Sequence, residues 1–177
     1  MHRKGHFGVT LAVWSILGVT LTTLGYPGVA ALALLVMLTV EHLPDSDFKV
    51  PGLSHRGVSH TVWAALAVGI VAGVALWYVA KSSPAIASVA PAYAEIGLTS
   101  ERSVGLLGFT FGTIGVLSHY VADLLTPMGV TLFWPLSDET YSLDVTNASN
   151  KIANVVLLLL GGAMASGAGY VTYSALV

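Results

Sequence analysis

The sequence contains no cysteine and little charge of either sign. Without thiols there can be no disulfide, no thiolate zinc site and no Cys-ligated iron–sulfur cluster, so any metal must be held by histidine nitrogen and carboxylate oxygen. Only 9% of the 177 residues are charged, against roughly 25% in soluble domains, so the chain lacks the polar surface to coat a water-soluble globule. Seven lysines and arginines against nine acids give a net charge of −2, which leaves no basic face for a nucleic-acid partner. There is no internal repeat, since the first and third apolar runs share little beyond a histidine at their start.

Hydrophobic residues make up 55% of the chain and the mean hydropathy is +0.79. The composition predicts an all-α fold, an integral membrane bundle of about five transmembrane helices in one domain, 1–177. A span needs about 20 mostly apolar residues, and five runs qualify: Phe7–Gly25, Gly28–Leu43, Thr61–Ala80, Val104–Val121 and Ile152–Val177. The basic N-terminus followed by an apolar stretch imitates a signal peptide, but no A-x-A cleavage site follows, so the run is expected to stay as an anchor. Pro27 suits the first position of the second helix. Gly69/Gly73, Gly108/Gly112 and Gly161/Gly162 would let helices approach closely in lipid, or simply reflect membrane composition. With the N-terminus inside, Arg3, Lys4, Lys49, Arg56 and Lys151 fall on one face and Lys81 and Arg102 on the other. That bias predicts a multi-pass cell-membrane protein with its N-terminus in the cytoplasm. The Lys81–Ser103 loop then faces outward without a ligand cluster, and Phe133 and Trp134 sit at the inner interface. The Asn147-Ala148-Ser149 sequon would be inert there.

Alternating spans bring His6, His42, His55, His60 and His119 to that same inner face, together with all the aspartates. His119 and Asp123 are one helical turn apart, which suits two ligands of one ion or equally a hydrogen-bonded pair at a helix end. Asp45-Ser46-Asp47 leaves the second helix at Pro44, where a D-x-D turn can clamp a cation or merely be solvated. In His55-Arg56-Gly57-Val58-Ser59-His60, Gly57 would let the loop fold tightly between the two imidazoles. Ser59 would cap the third helix with His60 in its first turn, and Arg56 supplies a fixed cation for phosphate or carboxylate. His2 is expected to fray, and His42 to lie at the interface. Glu41, one turn before Asp45, would orient a ligand or act as a base. His6, Asp45, Asp47, His55, His60, His119 and Asp123 are thus seven potential ligands. That is more than the three a catalytic zinc usually takes, and enough for two ions. Zn2+ suits the donor set best, and Mn2+ or Fe2+ would also be accepted.

LPDSD at Leu43–Asp47, HRGVSHT at His55–Thr61 and LSHYVADLLTPMGVTLFWP at Leu117–Pro135 together resemble the membrane-bound metal-dependent hydrolase family, whose bacterial members include a LexA-regulated inner-membrane protein. The likeness runs from His6 to Pro135. It implies that the same seven residues are metal ligands or their close partners, that Thr126 and Gly129 shape the adjoining loop, and that Arg56 faces substrate. His42 has no counterpart in it. Ser59 stands where threonine is usual and Thr61 where serine is usual, and the gap from Asp47 to His55 is short, implying a smaller cap over the site. The expected function is a metal-dependent hydrolase acting on a phosphoester or lipid-like ester at the cytoplasmic membrane face. Asp47 or Glu41 would steer the water, and Arg56, Ser59 and Thr126 would hold the substrate. The partners would be membrane lipid and a small-molecule or lipid substrate. A metal-binding scaffold is the alternative. A divalent-metal transporter or sensor is a weaker one, because no span carries an acid at its centre.

Overall fold

A computed structural model describes residues 1–49, 51–52, 55–91 and 97–177. The apolar runs form α1 (Arg3–Thr23), α2 (Pro27–Val40), α3 (Val62–Ser82), the short α4 (Pro84–Ala87), α5 (Ser100–Leu124) and α6 (Lys151–Leu176), with 3-10 segments at Pro44–Lys49 and Val58–His60. Five helical segments are long and apolar enough to cross a membrane. At 1.5 Å per residue, the 21 residues of α1 or α3 reach roughly 30 Å, the thickness of the hydrocarbon core. The fold is therefore the expected all-α membrane bundle. Its least buried spans, α3 and α6, expose side chains such as Ile70, Val71, Leu159 and Leu160. In water that surface would be an aggregation hazard, whereas in lipid it is the outer wall.

Several helices run past the ends read from hydropathy. α1 starts at Arg3, before Phe7, and α5 continues through Leu124, because a polar residue in the last turn of a helix still makes its backbone hydrogen bonds. His6 and Asp123 therefore lie inside helices. Pro27 opens α2 as expected. Ser59 does not cap α3: the cap is Thr61, whose Oγ1 accepts from the Ala64 N–H, and Ser59 is drawn to the neighbouring acid instead. The tight bend expected at Gly57 falls at Arg56, which takes the left-handed φ of 59°.

α3 packs along α5 and α1 along α6, with α2 wedged between α1 and α5. Trp14 Nε1 donates to the Ala30 carbonyl at 2.9 Å, tying α1 to α2, and Thr10 and Ser118 hydroxyls meet at 2.7 Å between α1 and α5. The expected close approaches occur at Gly69, Gly73, Gly108, Gly112 and Gly161; Gly162 instead faces open space. At the tightest of them, a Cβ built on Gly161 would stand 1.9 Å from the Gly8 carbonyl oxygen. Gly161→Val is expected to cost at least the about 1–3 kcal/mol typical of overpacking, read as a lower thermal midpoint in detergent. Gly162→Ala should melt like wild type; equal melting of the two variants would refute this account of the α1–α6 contact.

Candidate metal centre

The start of α1, the ends of α2 and α5 and the two 3-10 segments meet at one end of the bundle, and four side chains converge there. Asp45, His60, His119 and Asp123 each offer a ligand atom, and these atoms all lie within 4.8 Å of one another. His60 Nε2 is 3.3 Å and His119 Nε2 3.5 Å from Asp123 Oδ2, and Asp45 Oδ1 is 3.4 Å from His119 Nε2 and 3.9 Å from His60 Nε2. Four atoms held about 2.0–2.1 Å from a tetrahedral ion stand about 3.3–3.4 Å apart. Three of these four separations are close to that figure, and the fourth, His60 to Asp45, is longer.

Polar satisfaction points the same way. His60 Nε2, His119 Nε2 and Asp123 Oδ2 are buried without a hydrogen-bond partner. Buried polar atoms seldom go unpaired, and here three orphans face one point. The tautomer of His60 follows from its neighbours. Ser59 Oγ donates to Asp47 Oδ2 at 2.6 Å, since a carboxylate can only accept. The same hydroxyl must then accept from His60 Nδ1–H at 2.9 Å, which leaves the Nε2 lone pair aimed into the cluster. Burial pushes the His60 imidazole below its ordinary range, favouring the neutral form a ligand needs. On the far side of His119, Glu41 Oε2 lies 3.9 Å from Nδ1.

Asp123 is the hub. Its Oδ1 accepts from Arg56 and lies 2.6 Å from the Met1 amine and 3.4 Å from His6 Nε2. Arg56 reaches it because the left-handed turn sends the Arg56 N–H back to Asp47 Oδ2, 3.2 Å away, and the side chain forward under α5, where Nη1 also donates to Thr126 Oγ1 and the Gly129 carbonyl. Four carboxyl groups (Glu41, Asp45, Asp47 and Asp123) thus gather at this end of the bundle beside two fixed cations, the Arg56 guanidinium and the Met1 amine, both of which meet Asp123. Their excess negative charge is one that a divalent cation would offset.

The remaining sequence candidates form a surrounding layer. Asp47 is buried, its oxygens taken by Ser59, the Arg56 N–H and His55 Nδ1, the last at 3.1 Å. His55 stacks on Phe48 with ring centroids 3.8 Å apart. His6 stacks on His119, also at 3.8 Å, but its two ring nitrogens face the carbonyls of His119 and Met1. Glu41 sits behind His119. Thr126 braces Arg56, Ser59 lies between Asp47 and His60, and His42 is exposed. Among the described residues one such group forms, so the seven candidates divide into four at the centre and three around it.

Two contributors escaped the sequence reading. Tyr120 OH lies 2.9 Å from the Ser59 carbonyl and 3.0 Å from that of Thr61, pinning the histidine loop to α5. Asn154, buried in α6, accepts from the His2 N–H and donates to the Ala148 and Asn150 carbonyls, so the backbone at His2, expected to fray, is anchored. An amide inside an otherwise apolar span was the available signal for Asn154; nothing local marked Tyr120.

The family model described as YdjM inner membrane protein matches residues 1–177. No curated protein and no solved structure matches the chain.

Proposed function

Since the chain belongs to the YdjM inner membrane protein family, we propose that its His/Asp cluster is a metal centre that hydrolyses an ester bond in a molecule reached from the membrane surface. The observation that carries this reading is the meeting of three buried, unpartnered ligand atoms with Asp45, all within 4.8 Å of one another. A bound divalent ion would supply Lewis acidity and bring the ionisation of water into the neutral range. Zn2+ suits these donors, with Mn2+ or Fe2+ as substitutes.

The four central residues differ in access. His60, His119 and Asp123 are enclosed, whereas the Asp45 carboxylate is 33% exposed and lines the adjoining cavity. With the three enclosed residues holding the ion, displacement of the exposed Asp45 carboxylate would leave the fourth position to water, the pattern of a catalytic centre. Asp47 accepts the His55 Nδ1–H, while Glu41 lies 3.9 Å from His119 Nδ1 without a hydrogen bond to it. His55 donates its Nδ1–H to Asp47 and keeps its Nε2 lone pair beside the cavity. There it takes a proton from the attacking water as the new bond to oxygen forms, and returns it to the departing alcohol as the ester bond breaks.

A centre at the helix ends would lie at headgroup depth in a bilayer. Arg3, Lys4, Lys49, Arg56 and Lys151 all belong to this end of the bundle, and Lys81 and Arg102 to the other, a bias that favours the cytoplasmic side for the site. The competing reading is a scaffold in which Asp45 completes a closed centre tying helix ends together. Metal analysis and an ester panel on the purified full chain separate the two. The expected result is one ion per chain and hydrolysis abolished by chelation. A metal-replete protein inert toward phosphoesters and carboxylic esters alike would overturn the hydrolase and leave the scaffold.

A further inference from the structure

Two cations, Lys81 and Arg102, fall at the end of the bundle opposite the metal centre. On the topology favoured above this is the outer end, where lysine and arginine are scarce. Remote in sequence, the two nonetheless flank one feature. The outer halves of α3 and α5 cross on glycines: a Cβ on Gly73 would stand 2.8 Å from the Gly105 carbonyl oxygen, and one on Gly105 would stand 2.9 Å from Trp77 Cβ. Beside that crossing the surface is notched, with Gly73, Val74, Trp77, Arg102 and Gly105 lining a cavity of about 240 Å3. Val74 and Trp77 are 58% and 38% exposed, so the notch opens on the lipid-facing side. Gly73, Trp77 and Lys81 follow one another at intervals of four on α3 and share a face. The stretch from Gly73 to Lys81 rises about 12 Å, from near the middle of the helix to its end.

The cations stand at the outer end of that path. Lys81 Nζ lies 4.6 Å from the centre of the Trp77 ring. Arg102 lines the notch itself, and its Nη1 donates to the Gly97 carbonyl at 3.0 Å, an uncharged partner that leaves the guanidinium charge unmatched. Glu101 is the neighbouring acid, yet among the described residues neither cation is in an ion pair.

We infer that this notch binds an anionic phospholipid, its phosphate between Lys81 and Arg102 and one acyl chain over Gly73 and Gly105. Apolar walls below two unmatched cations complement a molecule with a hydrocarbon tail and a negative head, and basic pockets between spans select such heads. A second helix, about 10–12 Å across with its side chains, is too wide for the notch, whereas a single acyl chain is a narrow rod. The site is independent of the hydrolase reading, since it lies at the other end of the bundle.

The test is native mass spectrometry of the full chain in neutral detergent, titrated separately with phosphatidylglycerol and with phosphatidylcholine of the same chains. One phosphatidylglycerol per chain is expected, held about tenfold more tightly than phosphatidylcholine. Lys81→Gln with Arg102→Gln should abolish the preference. Val74→Trp, which fills the notch and keeps both cations, should weaken binding about tenfold. Lys4→Gln with Lys151→Gln removes as much charge at the metal end and should change nothing. All five positions are exposed, so each variant is expected to elute as wild type does on size exclusion. Equal affinity for the two lipids would overturn the anionic ligand, and loss in the Lys4 and Lys151 variant would move it to the other end. Binding indifferent to Val74→Trp would reduce it to surface charge. A dimer that Val74→Trp disrupts and phosphatidylglycerol does not would give the notch to a second copy.

Discussion

Asp123→Ala is expected to lose the bound metal and about 3–5 kcal/mol of stability, the cost of leaving a buried charge without its partner. The carboxylate does two jobs with its two oxygens: Oδ1 neutralises Arg56, and Oδ2 faces the histidines. Removing it strands the guanidinium under α5 and opens the tetrahedron at the same time. The two losses separate in a double variant. Arg56→Leu with Asp123→Leu removes both charges together, so most of the stability should return, as apolar replacement of a buried ion pair often allows. Metal should not return. Thermal retention on size exclusion in detergent, beside elemental analysis, reads both quantities. An Asp123→Ala protein that melts like wild type and holds a stoichiometric ion would refute the assignment of this residue.

The second large effect divides the two stacked imidazoles. His119→Ala should weaken zinc by about 10²–10³-fold, taking one ligand of four as a quarter of the about 10–16 kcal/mol of a zinc site. Hydrolysis would be lost with it. His6→Ala should keep both metal and activity to within about tenfold, because the ligand atoms that converge belong to Asp45, His60, His119 and Asp123, while the His6 nitrogens face the carbonyls of His119 and Met1. Equilibrium dialysis against zinc decides the comparison. Equal losses in the two variants would place His6 at the centre as a fifth ligand.

The bundle was readable because lipid demands long apolar runs, and five of them stand out in this sequence. The central residues were readable because His60, His119, Asp45 and Asp123 fall at the ends that alternation brings together. Reading stopped where the deciding quantity was a distance. Ser59 and Thr61 are two hydroxyls two residues apart, and either could cap α3. Asp47, eight residues before His55, settles the matter by engaging Ser59. Arg56 takes the left-handed turn beside a glycine better suited to it, because its backbone N–H is held by Asp47 and its side chain by Asp123. Each of these outcomes depends on a partner remote in sequence, which no local pattern contains. The split of seven candidates into four and three is of the same kind: composition supplies the donors, and packing decides which of their atoms remain unpaired.

The pairing of Arg56 with Asp123 also fixes an order of events during biogenesis. Arg56 leaves the ribosome 67 residues before the carboxylate that neutralises it, when only the first two spans can have entered the bilayer. Until α5 is released and inserted, the nascent chain carries Arg56 without its Asp123 partner. The Asn154 anchor that fastens the α1 start comes later still, on α6. A chain stalled after α3 would lack both the Asp123 partner of Arg56 and the Asn154 anchor of the α1 start.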